Sequence, residues 1–185
     1  MTCAGVLLTG GASRRMTTDK ASIEWRGETL AARAARVLAV ACDPVVEVGS
    51  GASALPCVRE EPPGSGPLAA LLAGARFLGS RGPVVLLACD LPFVEPPILR
   101  LLADWPGRQT VIPVVDGRLQ YACARYGPDA LDRAEAALEA GDHSLRAAGD
   151  GDRDELSAAQ WRAVGPANTF ADVDTPTDLR QLGLS

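Results

Sequence analysis

Residues Pro83–Ala88 read P-V-V-L-L-A, an apolar run with no polar position to turn towards water. A strand of that kind needs cover on both faces, as a central strand has in a parallel sheet layered between helices. The rest of the first half supplies the layers. Ala4–Leu8, Val45–Val48 and Cys57–Arg59 are further short strand-like runs. Between them, Glu28–Ala41 carries Leu30, Ala34, Val37, Leu38 and Ala41 on one helical stripe. Leu68–Leu78 turns Leu68, Leu71, Leu72 and Ala75 inward, with Pro67 where a first-turn proline is tolerated. This βαβαβ order implies right-handed crossovers and a three-layer, doubly wound α/β fold with a mostly parallel sheet. Ligands of such sheets bind beyond the carboxyl ends of the strands.

The second half is less regular. Pro96–Ala103 has a helical pattern, and Thr110–Val115 and Leu119–Arg125 flank Asp116-Gly117, a strong hairpin dipeptide. A β-hairpin insertion is therefore expected. Asp129–Ala140 reads as a helix stopped by Gly141, Ala147–Glu155 as a mobile loop rich in Gly and Asp, and Trp161–Val164 as a strand. Thr175–Leu182 reads as a short terminal helix. At 185 residues the chain is long enough for one domain with a full core and short for two.

Aromatic residues make up only 4% of the chain, so the core must rest on Leu, Val and Ala. The formal net charge of −5 argues against nucleic acid and anionic membranes as partners. An anionic substrate would then need a local cationic pocket or a metal ion. No basic segment leads into a signal-like apolar stretch, and no apolar run reaches membrane-spanning length. The cysteines (Cys3, Cys42, Cys57, Cys89, Cys123) form no CxxC pair and the chain has one histidine, which argues against zinc. Their mostly apolar neighbours suggest reduced, buried thiols in a cytoplasmic protein.

Three strings carry the chemistry. The first, Leu8-Thr9-Gly10-Gly11-Ala12-Ser13-Arg14-Arg15-Met16-Thr17-Thr18-Asp19-Lys20, follows a strand directly. Glycines there let backbone N–H groups approach phosphate or base closely. Arg14, Arg15 and Lys20 bring positive charge to an acidic chain. Lys20 lacks the glycine before it and the Ser/Thr after it that a Walker A loop requires, and no GxGxxG is present. The second string is Cys89-Asp90-Leu91-Pro92, at the end of the most buried strand. Asp90 either caps the turn made by Pro92 or holds Mg²⁺ against a triphosphate, and its position at a strand tip favours the metal. The third, Glu60–Leu68, is a Pro- and Gly-rich loop leading into a helix N-terminus, whose N–H donors suit an anion or a base edge. Glu60 can accept from ribose hydroxyls or guanine N–H groups.

Other residues read as structural. Asp174 caps the last helix, with Asp172 or Asp174 as a second metal contact the alternative. His143, between Asp142 and Ser144, reads as a surface residue at a helix start, and Trp25 and Trp161 as packing residues. Cys89 has no histidine near it in sequence, so a nucleophilic thiol is not expected.

Together these strings resemble the molybdenum cofactor guanylyltransferase (MobA) family, within the Rossmann-like nucleotidyltransferase fold. The family's L-A-G-G-x-x-x-R-M-G-x-D-K appears as Leu8-Thr9-Gly10-Gly11 and Arg15-Met16-Thr17-Thr18-Asp19-Lys20. Its G-P-L-A-G appears as Gly66-Pro67-Leu68-Ala69-Ala70, its C-D-x-P-F as Cys89–Phe93, and its closing Asp-Thr-Pro string within Asp172–Leu179. The resemblance implies that GMP passes from GTP to molybdopterin, usually carrying molybdenum, with release of pyrophosphate. By carry-over, Leu8, Thr9, Gly10 and Gly11 contact the nucleotide, Lys20 neutralises phosphate charge, Glu60 stands where the family usually has Asp for the nucleoside, and Asp90 binds Mg²⁺. Arg15 serves the pyrophosphate or the pterin. Residues 1–115 would then be the nucleotide half and 116–185 the acceptor half, with Gln120 a candidate pterin contact. Transient contact with cofactor-biosynthesis or acceptor enzymes fits such a role.

Thr9, Thr17 and Ala70 depart from the family's Ala, Gly and Gly. Thr17 matters most, because a β-branched residue disfavours positive φ. Two alternatives stay open on the residues alone: a cytidylyltransferase or a guanylyltransferase for another phosphorylated acceptor, and a non-catalytic nucleotide- or cofactor-binding module.

Overall fold

A computed structural model describes residues 3–10, 20–80, 82–173 and 177–178. In chain order the elements are β1 (Ala4–Leu8), a 3₁₀ turn (Lys20–Ser22), β2 (Glu24–Trp25), β3 (Glu28–Thr29), α1 (Leu30–Ala41), β4 (Val45–Val48), β5 (Cys57–Val58), α2 (Pro67–Phe77), β6 (Val84–Ala88), α3 (Pro96–Ala103), β7 (Thr110–Val115), β8 (Arg118–Leu119), β9 (Cys123–Tyr126), α4 (Pro128–Glu139), α5 (Leu145–Gly149), β10 (Arg153–Leu156) and α6 (Ala158–Arg162). The main sheet runs β10-β7-β9-β6-β1-β4-β5, with β8 added to β7. β5, β4, β1 and β6 are mutually parallel, as are β7 and β10, while β8 and β9 run antiparallel to their neighbours. The expected mostly parallel sheet is present.

Side chains alternate across this sheet and build two cores. Leu7, Val85 and Leu87 face α1 and α3, with Trp161 of α6 in the same cluster. Val6, Leu8, Val46, Val48 and Leu86 face α2, α4 and α5. Burial of both faces is what the wholly apolar β6 demanded, and Val84, Val85, Leu86 and Leu87 are completely buried. From β1 the chain runs by α1 to β4, towards the β5 edge of the sheet, and from β6 by α3 to β7, towards the β10 edge. The junction of β1 and β6 is therefore the topological switch point, the place where sheets of this kind leave a ligand crevice beyond the strand tips.

The Asp116-Gly117 turn forms as expected, with φ of 48° and 76° and Val115 paired to Arg118. Four expectations need correction. The helix foreseen from Glu28 begins at Leu30, because Arg26 (φ 52°) and Gly27 (φ 80°) turn Glu28 and Thr29 back into a hairpin with Glu24 and Trp25. Thr29 then caps the helix, its Oγ1 accepting from Ala32 N at 3.1 Å. The single strand foreseen over Leu119–Arg125 is split in two, and Gln120 folds its own Oε1 back onto Ala122 N (3.1 Å) at the break.

Ala147–Glu155 is not a loop: it ends α5 and enters β10, whose polar residues are held by parallel pairing with Thr110–Pro113 rather than by local propensity. Trp161 lies on a helix, not a strand, because Ser157 and Gln160 form a reciprocal capping box. Its indole donates to Val114 O at 2.9 Å and its ring meets Phe170 edge-on, so its packing role stands. Trp25 is also buried in packing, edge-on to Phe93. All five cysteines are free; Cys42, Cys89 and Cys123 are buried as expected, whereas Cys3 is half-buried and Cys57 exposed. Of the foreseen terminal helix, Thr177 and Asp178 are helical and the rest lies outside the described residues. Among the described residues no helix is long and apolar enough to cross a membrane.

Candidate functional site

Parallel pairing of Leu8 with Ala88 brings the tips of β1 and β6 side by side, and Cys89 N donates to Leu8 O at 3.0 Å just beyond them. The chain after each tip is thereby aimed into the same cleft. Lys20 Nζ lies 3.5 Å from Asp90 Oδ2, with side-chain exposures of 23% and 28%. Two residues 70 positions apart thus share the mouth of the switch point. At that distance and exposure the pair contributes little stability. Its interest lies in where it puts a cation and a carboxylate.

Several contacts hold Asp90 in place. Its carbonyl accepts from Val173 N at 2.9 Å, which brings exposed Asp172 to the same neighbourhood. Arg33, on α1, donates from Nε to Pro92 O at 2.6 Å and pairs with Glu95, tying the loop after β6 to the helix beneath. Among the described residues no three His, Cys, Asp or Glu side chains gather into a preformed metal cage. A part-exposed carboxylate at a strand tip still fits Mg²⁺, which keeps waters and needs only one or two carboxylates where phosphates supply further oxygens. The hard oxygen donor of Asp90 suits that ion better than a soft one.

Glu60 stands past β5, three strand spacings from β6, or roughly 14 Å along the sheet edge. Its Oε1 accepts from Gly64 N at 2.9 Å, so the carboxylate shapes its own loop. Gly66 (φ 93°) delivers the chain into α2, and the helix end is less open than the sequence suggested. Pro67 has no N–H, Leu68 N donates to His143 O at 3.3 Å, and Ala70 N donates to Gly66 O. His143 is exposed and directly precedes Ser144, the N-cap of α5, as expected of a surface residue at a helix start; it also docks on this loop, its Nδ1 2.7 Å from Ser65 O. A Cβ on Gly66 would sit 3.2 Å from His143 Cβ, so the contact is close. Gln120 lies on the segment beside the tip of β6, where Ala122 O accepts from Ala88 N at 2.8 Å. Gly11, Ser13, Arg14, Arg15, Thr17 and Asp174 lie outside the described residues.

Sequence reasoning missed Glu47. On β4, directly beside β1, it is fully buried. Its Oε1 accepts from the Thr9 hydroxyl, Gly51 N (2.7 Å) and Ala52 N (2.8 Å), and its Oε2 from Ser53 N (2.8 Å) and Ser53 Oγ (2.5 Å). Burial pushes the carboxyl's pKa up, but the hydrogen bonds from Ser53, Thr9 and the Ala52 amide outweigh it and hold the pKa below the usual carboxylate value. Glu47 is therefore a buried anion. The only sequence signal was a lone charge inside the apolar strand V-V-E-V.

Residues 5–156 match the model of the MobA-like NTP transferase domain. A protein of Mycobacterium avium (strain 104) named probable molybdenum cofactor guanylyltransferase is 34% identical over 194 residues, covering 98% of this chain and 95% of its own. One of the same name from Chloroflexus aggregans (strain MD-66 / DSM 9485) is 31% identical, covering 97% and 93%. The crystal structure of molybdopterin-guanine dinucleotide biosynthesis protein A from Archaeoglobus fulgidus superposes with a TM-score of 0.77 at 23% identity, covering 96% of this chain and 95% of that one.

Proposed function

This chain belongs to the MobA-like NTP transferase family, and from that premise we propose that it moves GMP from GTP to molybdopterin, releasing pyrophosphate. The observation that carries the reading is the meeting of Lys20 and Asp90 at the switch point between β1 and β6. An oxygen of the pterin's terminal phosphate attacks the α-phosphorus of GTP. The bond from that phosphorus to the α,β-bridging oxygen breaks, and pyrophosphate leaves with the electron pair. No covalent enzyme intermediate is required, so the protein's work is positioning and charge neutralisation.

The backbone of Leu8, Thr9, Gly10 and Gly11 carries the nucleotide. Glu60 receives the ribose or guanine donors. Lys20 exchanges the Asp90 carboxylate for phosphate oxygens when substrate enters, and Arg15 attends the pyrophosphate or the pterin. Asp90 would hold Mg²⁺, whose chemistry when bound is to offset charge across the phosphates. The five free thiols suit a reducing, cytoplasmic setting.

Pyrophosphate release from GTP, molybdopterin and Mg²⁺ tests the proposal. Asp90→Ala is expected to lower the rate roughly 10²-fold or more, the scale of losing one preorganised charged group. Full activity in that variant ends the metal assignment. Faster turnover of CTP than of GTP ends the guanine assignment, and GTP binding without turnover under any acceptor returns the chain to a binding module.

A further inference from the structure

The acidic residue on the strand next to β1 is the one that dinucleotide-binding sheets use for the ribose hydroxyls. Glu47 occupies a comparable place but is not free for that work. A carboxylate offers about four lone-pair sites, and here five donors share its two oxygens in a fully buried setting. It therefore acts on whatever those donors belong to. They come from two segments only: Thr9, at the tip of β1, and Gly51–Ser53, after β4. The Thr9 hydroxyl that donates to Glu47 also accepts from Ser50 N at 3.1 Å. Thr9 N in turn donates to Val48 O at 3.1 Å, and the two tips touch so closely that a Cβ on Gly10 would lie 3.2 Å from Gly49 Cα.

We propose that Glu47 is a positioning residue for nucleotide binding: through Thr9 it locks the tip of β1 and the Ser50–Ser53 turn into one wall of the cleft. The proposal rests on the reading that Leu8–Gly10 carry the nucleotide. It also gives the Thr9 departure a physical reason. Alanine at this position would cut the carboxylate's hydrogen bond to the tip of β1 and leave Ser50 N without its acceptor. The threonine and the glutamate are thus one device, and losing either half should loosen nucleotide capture without touching a reacting atom.

Thr9→Val keeps the shape and removes the hydroxyl, and Thr9→Ser restores a donor and acceptor at the same place. With the full chain, GTP and molybdopterin, Thr9→Val should raise the KM for GTP about tenfold, the scale of one lost hydrogen bond to a charged group, while kcat stays within about threefold. Thr9→Ser should return KM close to the original value. Glu47→Gln turns an N–H₂ towards other donors and should raise KM further. If it fails to fold, the two Thr9 variants still decide. A Thr9→Val enzyme with unchanged KM, or with kcat lost and KM kept, overturns the positioning role. So does failure of Thr9→Ser to rescue. If the unmodified protein releases no pyrophosphate from GTP, the proposed function falls first and takes this role with it; unchanged KM in an active Thr9→Val enzyme sinks the positioning role alone.

Discussion

Gly49 offers the sharpest test of how tightly the tips of β1 and β4 are joined. It has φ of 142°, a backbone that side chains rarely adopt. An alanine Cβ there would lie 2.7 Å from Thr9 Oγ1 and 2.8 Å from Gly10 Cα, and closer still to Gly10 N. Two of those three atoms are backbone, so no rotamer change relieves the clash. The backbone strain costs about 1–3 kcal/mol and the overpacking about 1–3 kcal/mol more. For a chain of this size each kcal/mol lowers Tm by about 2–4 °C. Gly49→Ala should therefore melt roughly 5–20 °C lower.

Gly27→Ala is the control. Its φ is 80°, and a Cβ there meets nothing within 4 Å, so only the left-handed backbone is penalised, by about 1–2 kcal/mol. The two variants should also differ in function. Displacing Gly10 moves backbone that the proposed function sets against the nucleotide, and errors near 1 Å at a reacting centre can cost roughly 10²-fold. Calorimetric melting together with GTP titration measures both effects. If Gly49→Ala melts like Gly27→Ala and binds GTP as the original does, the close apposition of the two tips plays no part in the cleft.

Three further outcomes are expected. Hydrogen bonds hold the Glu47 pKa below its ordinary 4.5 in the fold, so its stabilisation is present above pH 4.5 and is lost as pH falls through the lower folded value. Urea midpoints measured against pH should be flat to about pH 5 and fall below it, and Thr9→Val should shift the fall to higher pH. Asp154, also held low by Gln109 and Trp105, adds to the same acid limb. In a thiol titration of the native protein Cys57 should react first, yet slowly, because burial and the Glu47 charge raise its pKa. Cys42 and Cys123, whose pKa values burial also raises, should react only after denaturant; rapid native labelling of either would contradict the packing. Trp161→Phe leaves Val114 O without its donor and should cost about 1–3 kcal/mol in denaturant unfolding, with GTP turnover unchanged.

The elements that could be read from sequence are those whose cause is local. Val84–Ala88 has a single use in a globular fold, and Asp116-Gly117 accepts the positive φ values its turn requires. Arg153–Leu156 is a strand only because β7 presents a parallel edge to it, with Leu156 as its sole fully buried side chain. Such an edge exists only after the fold has formed. Trp161 is a different kind of miss. The Ser157–Gln160 box is present in the sequence, whereas Trp161–Val164 taken alone resembles a short strand.

The site divides along the same line. Lys20 and Asp90 could be found because each follows a strand tip, and in a doubly wound sheet two tips on either side of the switch point must converge. Glu47 and His143 carry no such mark. Glu47 is held mostly by amides of Gly51, Ala52 and Ser53, and His143 binds the carbonyl of Ser65 and the N–H of Leu68. Backbone groups are the same at nearly every residue, so no motif can announce them. A side chain that works by holding another segment's backbone becomes visible only when the fold has placed that segment beside it, and the walls of a cleft are therefore harder to read than its charges.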